Sequence, residues 1–124
     1  MWIFTRYGFY SAVCARQGDG RHHQPVDPDR IMVRARSRGH LEGLIGRFPE
    51  LLAGAEVKSF AGSDYPHRIF IPKSVWVAVL GALGEDLDYD NFKDEAGRHE
   101  ESTGSAYVHA LHRVWHDMLP LQRS

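Results

Sequence analysis

The chain reads as an α+β two-layer sandwich: a four-stranded antiparallel sheet with helices on one face, in the order ββαββαα. Three observations predict it. Segments rich in β-branched and aromatic residues, or alternating apolar with polar, recur around residues 2–13, 30–36, 56–60 and 65–71. Apolar residues at helical spacing follow the second and fourth of these. At 124 residues there is room for one domain, residues 1–124, around a modest core.

Residues 2–13 form the first strand, and Gly8 within it signals a bulge or a close backbone approach. Residues 17–29, with Gly18, Gly20, Pro25 and Pro28, read as an exposed, mobile loop. The second strand, 30–36, pairs back on the first as a hairpin. Ser37 suits a helix cap, and Leu41, Leu44, Ile45 and Phe48 then recur at helical spacing. Pro49 ends that helix or starts a further turn over 50–53, which Gly54 closes.

Residues 56–60 give a third strand, 61–64 a turn and 65–71 a fourth strand. His67, Ile69 and Ile71 lie on one face of that strand, Arg68 and Phe70 on the other. A helix follows with Ser74 as its cap. Its body, 75–83, is apolar nearly all round, as in a helix deeply buried or shared with a second copy in a homodimer. The C-terminal helix begins near Asp88-Tyr89-Asp90, breaks at Ser102-Thr103-Gly104 and stops at Pro120.

Composition narrows the function classes. Apolar content of 43% and charged content of 25% are those of a globular protein. A net charge of −1 argues against a dedicated DNA-binding protein, though not against a local basic patch. A single cysteine, Cys14, fits a reducing cytoplasm. The N-terminus lacks signal-peptide organisation, and no apolar run is long enough for a membrane span.

The most informative stretch is Met32-Val-Arg-Ala-Arg36. Val33 and Ala35 face a core, and Arg34 and Arg36 point the other way, about 7 Å apart on rigid backbone. Such a pair suits phosphate or carboxylate. By alternation the same open face carries Lys58, Phe60, Arg68 and Phe70. The first strand adds either Phe4, Arg6 and Tyr10 or Thr5, Tyr7 and Phe9. Basic groups interleaved with aromatics on a sheet hold nucleotides or single-stranded nucleic acid, with bases stacked and phosphates paired. The competing expectation is a covered face, with Arg34 and Arg36 paired to Glu56, Asp64 or other acids.

Other clusters read more simply. The segment Asp88-Tyr-Asp-Asn-Phe-Lys93 lacks the spacing of a calcium loop and suits a helix start. His109, His112 and His116 share one helix flank, and His112 and His116 have the spacing of a helical zinc pair. No further ligand is placed by sequence to complete that site. Cys14, Ser63 and Gly18-Asp19-Gly20 match no nucleophile or phosphate-loop pattern. No cofactor is called for.

Taken together, Met1-Trp-Ile-Phe-Thr-Arg-Tyr-Gly-Phe-Tyr-Ser11, Met32–Arg36, Gly62-Ser-Asp-Tyr65 with Arg68, Asp88–Lys93 and Leu111-His-Arg-Val-Trp115 resemble a family of small bacterial proteins of uncharacterised function. The resemblance covers nearly the whole chain. It implies a bacterial, cytoplasmic, stand-alone domain and supplies no activity or site residue. The leading expectation is therefore a non-enzymatic binding module that uses the basic and aromatic face. The alternatives are a small metal-dependent hydrolase or nuclease using the C-terminal helix histidines with the acids of Asp88–Asp90, and a structural partner that dimerises through helix 75–83.

Overall fold

The computed structural model describes residues 1–123. Their elements run β1 (Trp2–Thr5), β2 (Gly8–Arg16), β3 (Val26–Ala35), α1 (Arg38–Arg47), α2 (Pro49–Leu52), β4 (Lys58–Ser59), β5 (His67–Pro72), α3 (Lys73–Glu85), α4 (Phe92–Arg98), α5 (Glu100–Thr103) and α6 (Ser105–Met118). A 3-10 turn, Leu119–Arg123, follows. The chain is α+β, with an open antiparallel sheet of strand order β1-β2-β3-β5-β4.

The sheet has five strands where four are expected. The long first strand turns back on itself at Arg6-Tyr7, so that Trp2 lies opposite Ser11 and Thr5 opposite Gly8. The Thr5 side chain closes this turn: its hydroxyl donates to the Gly8 carbonyl at 3.0 Å and accepts from the Tyr7 and Gly8 amides. Gly8 is a close approach, as its sequence position suggests. Its φ of 149° lies outside the range of L side chains, and a Cβ there would meet the His40 ring at 2.4 Å.

The second strand starts earlier than expected, at Val26, which confines the loop to residues 17–25. A register shift between Cys14 and Ala15 absorbs the irregularity. The third strand shrinks to Lys58–Ser59.

Alternation sorts the apolar residues onto the two faces. Tyr10, Ala12, Ile31, Val33, Ala35, Ile69 and Ile71 meet Leu41, Leu44 and Leu52 from α1 and α2, and Trp76 and Val79 from α3. The helix predicted over 75–83 is thus anchored by two buried residues, while Val77 on its outer side is 60% exposed. Pro72, rather than Ser74, stands at its N-terminal boundary.

The helices do not all lie on one face. Phe4 and Phe9, cross-strand partners on the face opposite Tyr10, pack with Ala96, Tyr107 and Leu111 from α4 and α6. Aromatics on both faces of β1 and β2 demand cover on both sides, and α4–α6 supply it at that end of the sheet. The segment is fixed by Tyr107, whose hydroxyl donates to the Thr5 carbonyl at 2.6 Å. The break expected near Ser102–Gly104 occurs at Gly104, where φ is 96°. The helix start expected at Asp88–Asp90 lies later: Asn91 caps α4 by accepting from the Asp94 amide at 3.0 Å.

A candidate anion-binding face

The uncovered part of the second sheet face is built row by row. Residues directly opposite in neighbouring strands point the same way. Trp2 faces Ser11, Ser11 faces Arg34, Arg34 faces Arg68, and Arg68 faces Lys58. One row thus crosses all five strands and carries three adjacent cations. The next row on the same face is Val13, Met32 and Phe70. Arg30 lies beyond it, with its guanidinium 4.7 Å from the Phe70 ring centroid. Lys58 reaches the same ring from its other neighbour, at 5.8 Å.

Tyr65 organises the arginines. Its buried ring takes both Arg34, at 4.6 Å from guanidinium to centroid, and Arg36, at 4.4 Å. Arg36 also donates to the Asp64 backbone carbonyl at 3.0 Å. Arg34 Nη2 donates to the Ser11 hydroxyl at 2.8 Å, while its Nε is buried with no hydrogen-bond partner. Arg68 is held by neutral groups: it donates to the Tyr65 carbonyl at 3.0 Å and to Ser63 Oγ at 3.3 Å, contacts Met32 Sδ, and stacks on Phe60.

Among the described residues, none of Arg30, Arg34, Arg36, Lys58 and Arg68 makes an ion pair. The expected pairing of Arg34 and Arg36 with the Glu56 or Asp64 carboxylates is not formed. Burial, followed by the charge of Arg34, lowers the pKa of Arg68, and nearby Asp64 offsets this in part. Nine of the 16 acidic residues, against four of the 15 basic ones, come after Gly84.

Three of those acids converge on Arg6, in the β1–β2 turn. Its guanidinium donates to Asp86 Oδ2 at 2.9 Å, the Asp86 carbonyl at 2.7 Å, Asp88 Oδ1 at 2.7 Å and Glu95 Oε1 at 3.2 Å. The Tyr7 hydroxyl donates to Asp86 and accepts from Arg47 Nε at 3.0 Å, and Arg47 also pairs with Asp86. Burial alone would raise the Asp86 carboxyl, but bonds from Arg47, Tyr7 and Arg6 overcome it and hold the group well below the usual carboxylate range. This cluster ties the turn to the α3–α4 connection, and Arg6 is absent from the basic face.

All five residues singled out by sequence, Arg34, Arg36, Lys58, Arg68 and Phe70, lie on one face. Trp2, Arg30 and Tyr65 join them. The strand expected over 65–71 is observed as His67–Pro72, so the parity that would put Tyr65 with His67 and Ile69 does not apply; Tyr65 precedes Pro66, outside β5. Asp88 is bound to Arg6, and Lys93 lies 4.4 Å over the Trp115 ring. His109, His112 and His116 are exposed. No group of three or more His, Cys, Asp or Glu among the described residues is placed to hold a metal ion. No helix among them is long and apolar enough to cross a membrane. No family model, curated protein or solved structure matches the chain.

Proposed function

We propose that the protein is a binding module whose basic and aromatic sheet face takes a phosphate-bearing ligand of the nucleotide class, free or within a single strand. One observation carries this reading. Arg34, Arg68 and Lys58 stand side by side across three strands without a carboxylate partner. Like charges directly opposite in a sheet destabilise it, and a guanidinium fork is suited to phosphate oxygens. An anion seated over the row relieves the repulsion and gives the buried Arg34 Nε an environment of opposite charge. The stack on Tyr65 holds two of the guanidiniums before any ligand arrives, which reduces the ordering cost of binding.

Fluorescence anisotropy with labelled nucleotides and short oligonucleotides at low salt tests the reading. Wild-type protein is expected to bind, and Arg34→Ala/Arg68→Ala to lose most of that affinity. Absence of binding by wild type to every phosphate-bearing probe overturns the reading.

A further inference from the structure

Resting on that reading, we infer that the ligand is a single-stranded nucleic acid laid across the β-strands, along the row from Trp2 to Lys58. One base stacks on Trp2, and backbone phosphates sit on Arg34 and Arg68.

The row ends in an aromatic platform. Trp2 is 68% exposed on edge strand β1, in the same cross-strand row as the cations. Its ring is steadied by a T-shaped contact with Phe9, at 5.9 Å and 88°. Base stacking on an aromatic is worth a substantial part of single-strand affinity, and Trp2 is, among the described residues, the one exposed aromatic in line with the cation row.

Spacing selects the length of the ligand. Neighbouring strands lie about 4.8 Å apart, which puts Arg34 about 10 Å and Arg68 about 14 Å from Trp2 along the row. That exceeds the reach from a base to its own α-phosphate, so a nucleoside monophosphate cannot occupy platform and cations together, and linked nucleotides also bring a further base to the far end of the row. Phe60, 43% exposed and stacked by Arg68, offers a second ring at the far end. A duplex hides the base faces that these rings would take, whereas an unpaired strand presents them.

The test compares an oligothymidylate of about six nucleotides with inorganic tripolyphosphate, a nucleoside triphosphate and a duplex of the same length. In a Trp115→Phe background, Trp2 is the only exposed indole, since Trp76 is buried. Its fluorescence is expected to be quenched by the oligothymidylate and unchanged by tripolyphosphate. Trp2→Ala should weaken oligothymidylate binding about tenfold and leave tripolyphosphate binding unchanged, and Trp2→Phe should restore much of the loss. Equal binding of the nucleoside triphosphate or the duplex, or an equal effect of Trp2→Ala on both anions, overturns this inference and leaves the phosphate-binding face standing. Failure of wild type to bind tripolyphosphate and oligothymidylate alike overturns both.

Discussion

Arg34 and Arg68 face each other directly across the β3–β5 pair, and neither is within ion-pair distance of a carboxylate among the described residues. Cross-strand partners stand about 5 Å apart at Cβ, where opposite charges help a sheet and like charges oppose it. The chain tolerates that repulsion without a pairing carboxylate, while Asp86, Asp88 and Glu95 pair with Arg6. The first prediction follows directly. Arg68→Met keeps an unbranched stem against Met32 and Phe60 and removes one charge. It should leave the melting temperature unchanged or raise it slightly while anion binding falls. Inorganic phosphate should raise the melting temperature of wild type more than that of the variant, by mass action on a bound state. Thermal unfolding with and without phosphate checks both parts.

Salt dependence should count the row. Single strands give a slope of about −0.7 in log affinity against log salt per phosphate neutralised. Three cations engaged together give a slope of about −2, and Arg34→Ala should flatten it by about 0.7. Titrations at several salt concentrations read this, and an unchanged slope would remove Arg34 from the contact.

The Arg6 cluster predicts stability rather than binding. The Arg6 side chain is 11% exposed and those of Asp86 and Glu95 are 12% and 13% exposed. Removing one of these three leaves the other two charged and poorly solvated, so Arg6→Ala or Asp86→Asn should cost about 3 kcal/mol. The depressed Asp86 carboxyl adds a pH dependence. Its contribution is fully present above the ordinary value of 3.8 and is lost as pH falls toward the lower folded value. Denaturant unfolding in acid should show this loss in wild type and less of it in Asp86→Asn.

Gly8 and His40 predict a steric and a titration effect at one place. Gly8→Ala puts a methyl group into the His40 ring at a φ unsuited to alanine, and should cost at least about 2 kcal/mol. His40 Nδ1 accepts from the Phe9 amide at 3.3 Å, and Nε2 lies 3.0 Å from the Thr103 carbonyl, an arrangement that fits the neutral ring with its proton on Nε2. Burial lowers its pKa below 6.5, although the Thr103 carbonyl acts the other way. The unfolded chain therefore binds the proton first. The stability from neutral His40 is present above about pH 6.5 and declines as pH falls through the folded value. His40→Gln should remove this component from unfolding curves measured between about pH 5 and 8.

The basic face was legible where alternation holds. Val33 and Ala35 against Arg34 and Arg36, and Ile69 and Ile71 against Arg68 and Phe70, lie as their parity predicts. What escaped the sequence was set by contacts that local pattern does not encode. The Arg6-Tyr7 turn carries no Asn-Gly or Asp-Gly signal and is closed by the Thr5 hydroxyl, so a single long strand hid two, and Trp2 with them. Arg6 and Asp86 are 80 residues apart, and no spacing rule links them. The expectation that Glu56 or Asp64 neutralises Arg34 and Arg36 failed because Arg34 is turned to Ser11 and both guanidiniums stack on Tyr65.

Chemical-shift mapping by NMR bears most directly on the proposed face. Adding tripolyphosphate and then a short oligothymidylate to labelled protein should shift the backbone amides of Ser11, Arg34, Arg68 and Lys58 with each ligand. The amide of Trp2 should respond only to the oligonucleotide. Shifts confined to the Arg6 cluster or to the helix flank of His109, His112 and His116, with the cation row unmoved, would contradict the account.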